Sequence, residues 1–190
     1  MVTAPVLATT RVALRALTSA DVTAAHAMWT DPGMRRYLWD DAVIGLDTAA
    51  DVIAASDGDF ARWGFGLWGL YDRTSGTLMG FCGCRSLDGH EPELLYGLLP
   101  AWWGQGLAVE ASTAVLDHVF LTLEHSEIVA ATDPPNTASV RVMEELGMTF
   151  DRRGLLNGPD TVFYRLTRHT WLARARHGRD RAEPGREQAR

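Results

Sequence analysis

The run Glu93-Leu94-Leu95-Tyr96-Gly97-Leu98-Leu99-Pro100-Ala101-Trp102-Trp103-Gly104-Gln105-Gly106-Leu107-Ala108-Val109-Glu110-Ala111 passes from strand to loop to helix without a break. Glu93 to Leu99 is apolar and of strand length, and Pro100 ends it. From about Leu107 to Leu123, Ala108, Ala111, Val115 and Val119 recur at helical spacing on a predicted core face, flanked by Ser112, Leu116 and Phe120. Gly104 and Gly106 stand between the two elements. A helix's first turn leaves backbone N–H groups unpaired and carries the positive end of the dipole, so this arrangement suits an anion. Glycine removes the Cβ atoms that would hold a ligand off those donors.

Several loops share that physics. A nucleotide-binding Walker loop needs a lysine, and the chain has none; all 18 basic residues are arginine. A dinucleotide fingerprint is disfavoured by Val109 at its last position and by the lack of a preceding βαβ alternation. On the loop alone, a plain strand-to-helix turn remains open.

Upstream, residues 10–16 alternate as a strand, and Thr18 or Ser19 caps a helix running to about Trp29, which Asp31-Pro32-Gly33 stops. A second helix is predicted from Thr48 to Phe60. Phe65–Tyr71 and Thr77–Arg85 read as a hairpin around Asp72–Gly76. Downstream come a strand at Ile128–Thr132, a helix at Thr137–Leu146 closed by Gly147, and strands at Thr149–Arg152 and Thr161–Leu166 joined through Asn157-Gly158-Pro159. One α/β domain over residues 8–172 and an Arg-rich, disordered tail over 173–190 are expected.

The net charge is −6, with +3 in residues 173–190 and therefore −9 in the rest, which argues against nucleic acid and favours a cationic substrate. No apolar run reaches the roughly 20 residues of a membrane span, and the N-terminus lacks a secretion signal, so a cytoplasmic location is expected. Cys82 and Cys84 fall on one face of a strand as reduced thiols, without metal-ligand spacing; no metal is expected.

The quoted run and a second one, Asn136-Thr137-Ala138-Ser139-Val140-Arg141-Val142-Met143-Glu144-Glu145-Leu146-Gly147-Met148, together resemble the GNAT N-acetyltransferase superfamily, in its ribosomal-protein-acetyltransferase-like branch. The family pattern is Gln/Arg-x-x-Gly-x-Gly/Ala. Gly106 and Ala108 match its last two fixed positions, while Trp103 replaces the Gln or Arg. The second run matches Asn-x-x-Ser followed by a helix ending in Leu-Gly-Phe/Met. The resemblance spans roughly residues 8–170.

The resemblance implies a mixed, mostly antiparallel sheet of about seven strands splayed between the fourth and fifth, with about four flanking helices. It implies acetyl-CoA as co-substrate, held by Trp103, Gly104, Gln105, Gly106, Leu107 and Ala108 around the pyrophosphate. The pantetheine would lie against Leu98 and Leu99, with Asn136 and Ser139 beside it, while Arg141 would meet a coenzyme phosphate or stand on a solvated helix face. An amine, either a protein N-terminus or a small molecule, would attack the thioester directly, with a backbone N–H near Leu98 meeting the oxyanion. A homodimer is common in this branch. A non-catalytic CoA-binding module is the rival reading.

Glu93 is the leading candidate base and Ser139 the candidate proton donor, because the family's usual tyrosine position is held by Met143. Glu93 also reads as a strand-edge acid in an ion pair, and Asn136 as an N-cap. Asp160 and Glu91 are weaker bases, and Tyr96 and Tyr164 further hydroxyls. Trp29, Trp39, Trp63 and Trp68 read mainly as packing, and His90, His118 and His125 as satisfied or surface histidines. A lysine side chain at pKa ~10.4 is free base about once in 2,500 molecules at pH 7, an α-amine at ~7.8 about 14% of the time, so the latter needs less help.

Overall fold

The computed structural model describes residues 4–86, 91–155 and 160–174. Eight strands form one sheet in the order β1-β2-β3-β4-β5-β6-β8-β7. They are β1 (Leu7–Ala8), β2 (Val12–Ala16), β3 (Leu67–Asp72), β4 (Leu78–Arg85), β5 (Glu93–Leu98), β6 (Glu127–Thr132), β7 (Thr149–Leu155) and β8 (Asp160–Thr167). The α-helices with fully described bounds are α1 (Val22–Trp29), α2 (Pro32–Leu38), α3 (Leu46–Trp63), α4 (Leu107–Asp117) and α5 (Thr137–Leu146), and residues 168–174 are also helical. None of the described helices is long and apolar enough to cross a membrane.

Every sheet pairing is antiparallel except β5 with β6, which α4 connects as a crossover. Alternation along the strands builds two cores. Trp68, Leu70, Cys82, Leu94 and Leu98 pack with Ala111, Val115, Met143 and Leu146 under α4 and α5. Leu17, Leu67 and Phe81 pack with Met28, Trp29, Met34 and Ile53 under α1, α2 and α3. Cys82 and Cys84 lie on the first of these faces, as their spacing predicts, and both are fully buried. Burial pushes the Cys82 thiol up to about 12. Neither thiol is expected to react with Ellman's reagent until the protein unfolds; fast titration of native protein would contradict this packing.

The structure corrects several readings. Asp31-Pro32-Gly33 opens α2 instead of merely ending α1: the Asp31 carboxylate accepts the Gly33 N–H at 2.8 Å, and Pro32 fills a first-turn position where no N–H is needed. The splay falls between the expected two segments, which the short β1 makes the fifth and sixth of eight strands in chain order. There are more helices than four because α2 and residues 168–174 were missed. The predicted helix to Leu123 leaves α-geometry after Asp117 for a π-turn at His118–Thr122. Its buried face starts at Leu107, with Ala108 only half-buried. Residues 173 and 174 belong to the helix, while the remainder of the expected tail and the Asn157-Gly158-Pro159 turn lie outside the described residues.

Candidate active site

Gly104 and Gly106 adopt φ of 70° and 72°, a left-handed conformation that costs most side chains about 1–2 kcal/mol. Their αL turns swing the chain into the head of α4. No amide from Gly104 to Val109 donates to an acceptor among the described residues, and the first closed bond of the helix is Glu110 N–H to Gly106 O at 3.0 Å. Six consecutive donors are therefore open at an exposed helix N-terminus, so this loop can receive an anion.

Sequence reading missed what holds the loop. Arg11, just before β2, donates to Gln105 O at 2.9 Å and to the Glu110 carboxylate at 2.6 Å. The Arg11 main-chain N–H and the Thr9 hydroxyl also donate to Glu110. Burial works against ionising Glu110, yet the Thr9 and Arg11 hydrogen bonds and the Arg11 charge hold its carboxyl below the usual range. The clamp spans 99 residues of sequence, so no local pattern announces it.

The gap lies beside this loop. β5 and β6 share one register position, Glu93 opposite Val129, and then diverge. Val129 N–H donates to Pro92 O at 3.0 Å and Leu99 N–H to Met79 O at 2.8 Å. Strand alternation then turns the main-chain groups of Tyr96 and Leu98 into the gap. Leu98 O is covered by the Trp103 indole N–H at 2.6 Å, leaving Leu98 N–H as a donor there. Leu99 spends its amide on β4, and Trp103 spends its amide on Pro100 O at 3.2 Å and its indole on Leu98, so neither can offer an N–H to a ligand. The Trp103 ring instead packs on Gly33 at the start of α2.

α5 closes the other side of the gap. Asn136 is its N-cap: Oδ1 accepts the Ser139 N–H at 3.3 Å, and Nδ2 donates to Thr132 Oγ1 at 3.0 Å. Both ends of that amide are engaged, so the capping reading holds. Across the gap, the Tyr96 hydroxyl lies 2.9 Å from Ser139 Oγ and donates to Ser139 O at 2.9 Å. Burial pushes the Tyr96 phenol well above its usual range. Met143, at the position of the family's tyrosine, is fully buried. Arg141 is exposed on α5, with no ion-pair partner among the described residues.

Glu93 is half-buried where β5 and β6 begin to part, and burial raises its carboxyl above the ordinary range. The ion-pair reading fails: its cross-strand neighbour Arg85 pairs with Asp59, and Glu93 has no ion-pair partner among the described residues. The other acids are engaged, Asp160 by Arg153 and Glu91 near Arg165 at 3.7 Å. Trp29 and Trp39 meet edge-on at 6.2 Å beside Phe81, as packing residues. His118 Nε2 meets Gly64 O at 2.8 Å, burial lowers His125, and His90 lies outside the described residues.

A family model for the acetyltransferase (GNAT) domain matches residues 11–149. The chain belongs to the GNAT acetyltransferase family. The match takes in Arg11, the glycine loop, Tyr96 and the α5 motif. This GNAT chain is 26% identical over 162 residues to the uncharacterized N-acetyltransferase p20 of Bacillus licheniformis, covering 84% of this chain and 90% of that relative. An acetyltransferase of Agrobacterium tumefaciens shares its fold at a TM-score of 0.76 with 27% identity, over 85% of this chain and 94% of the other. RimL, a ribosomal L7/L12 alpha-N-protein acetyltransferase solved in complex with coenzyme A, has the same fold at a TM-score of 0.73 and 18% identity, over 86% of this chain and 98% of that one.

Proposed function

We propose that this GNAT acetyltransferase takes acetyl-CoA into the gap between β5 and β6 and passes the acetyl group to a primary amine. The observation that carries this reading is the row of six open amides from Gly104 to Val109, at the mouth of a gap that leads to Ser139. Those amides suit the pyrophosphate, whose two negative groups need several donors and the positive end of a helix. The Tyr96 main-chain groups suit the pantetheine amides, in the manner of an added strand. The fold shared with a CoA-bound RimL supports the same placement.

In this reading Leu98 N–H meets the oxyanion as it forms on the thioester carbonyl. Glu93, its carboxyl raised by burial and without an ion-pair partner among the described residues, takes the amine's proton through water. Ser139 presents the hydroxyl that meets the departing sulfur. The amine is a protein N-terminus or a small molecule, and an α-amine among these needs the least help with deprotonation.

Met143 in place of a tyrosine favours one rival, a module that holds CoA without turning it over. Calorimetry with CoA and release of free thiol from acetyl-CoA over an amine panel separate the two. Binding with thiol release is expected. Binding without release from any amine would establish the rival, and no binding would sink both.

A further inference from the structure

We infer that Tyr96 is a positioning residue for acetyl transfer, fixing the Ser139 hydroxyl at the sulfur end of the gap. This rests on the proposed acetyl-transfer reading and adds a residue to it. The Tyr96 hydroxyl has one proton and two neighbours, Ser139 O and Ser139 Oγ, each at 2.9 Å. The carbonyl can only accept, so the phenol proton is committed there and the Ser139 O–H donates to Tyr96 Oη. A serine on a helix's first turn normally turns freely toward solvent or its own backbone. Here its orientation is set from the sheet, by a ring packed against the core beneath α4 and α5.

The pair also has a second arrangement. When the Ser139 O–H turns to a departing thiolate, the phenol proton can swing from Ser139 O to Ser139 Oγ. That keeps Oγ hydrogen-bonded and makes its O–H a better donor. Both hydroxyls keep their protons. As the amine nitrogen bonds to the thioester carbon and the C–S bond breaks, the amine's proton passes through water to Glu93; the thiolate leaves hydrogen-bonded to the Ser139 O–H and takes its proton from solvent. Burial disfavours a phenolate, consistent with a tyrosine that orients and does not ionise.

The test is a double-mutant cycle with Y96F, S139A and the double variant, following thiol release, acetyl-CoA KM, CoA affinity and thermal melting. Phenylalanine keeps the ring that fills the core. Y96F is expected to lower kcat about tenfold with acetyl-CoA KM and CoA affinity within about twofold, the signature of an interaction used mainly in the transition state. The double variant should be no slower than S139A, because Tyr96 acts only through that hydroxyl. As a second readout, Ser139→Thr should recover turnover over S139A only when Tyr96 is present. Unchanged kcat in Y96F, multiplicative losses in the double variant, or equal rescue by threonine in both backgrounds would overturn the inference and leave acetyl transfer standing. A wild-type protein without CoA affinity or turnover would overturn the reading and the inference with it.

Discussion

Gly106→Glu is expected to abolish CoA binding in a protein that still folds. The site is exposed, and a Cβ there meets only an Arg11 nitrogen at 3.8 Å, so the new side chain has room. It does have to adopt a φ of 72°, at a cost of about 1–2 kcal/mol, a fraction of a typical domain's 5–15 kcal/mol. Its carboxylate would lie among the amides proposed for the pyrophosphate, adding repulsion and competing for the donors. Losing two charge-assisted hydrogen bonds at 1.5–3 kcal/mol each weakens binding by at least about a hundredfold. Gly106→Ala is the control, because it carries the same backbone strain without the charge; its Cβ crowds the ligand, so it should bind more weakly than wild type but far more tightly than the glutamate variant. Calorimetry and a thermal melt on both variants decide the matter. Full affinity in the glutamate variant would mean that the phosphates bind elsewhere.

Glu93→Gln is expected to reduce kcat/KM by about a hundredfold for an amine of high pKa, within the range of a positioned base. The loss should shrink for an α-amine, which already exists partly as free base at pH 7. Equal activity with both amine classes would remove Glu93 from the chemistry. The same variant carries a stability signature of definite sign. Burial raises the native carboxyl above its ordinary 4.5, so the folded protein holds a proton that the unfolded chain releases. The associated stability is fully present below 4.5 and is lost as pH rises through the native value. Glutamine escapes that loss. E93Q should therefore melt higher than wild type at neutral pH, with the gap closing as the pH is lowered. A gap that widens in acid would show that Glu93 has a favourable partner as a carboxylate.

Much of the candidate site was legible because its signals are local. Gly104 and Gly106 are needed wherever a chain must turn through positive φ into a helix, and Asn136 caps its own helix three residues on. Local logic also misled. Asp31-Pro32-Gly33 reads as a stop, but an aspartate and a proline at the end of one helix are equally the start of the next. Trp103 reads as part of the phosphate loop, yet its donors are consumed by Pro100 and Leu98, a fact that depends on the curl of the chain after β5.

What the sequence alone determined was the order of elements, the two motifs and the family they resemble, because hydrophobic period, glycine conformation and capping act within a few residues. The tertiary structure decided which side chains are available for chemistry. Among the described residues Glu93 has no ion-pair partner because Arg85 turns to an aspartate 26 residues away, the glycine loop is braced by an arginine from before β2, and Ser139 is met by a tyrosine 43 residues distant. Hydrogen bonds and ion pairs are made by whatever folding brings within about 3 Å, and only the assembled sheet and its two layers of helices settle those distances.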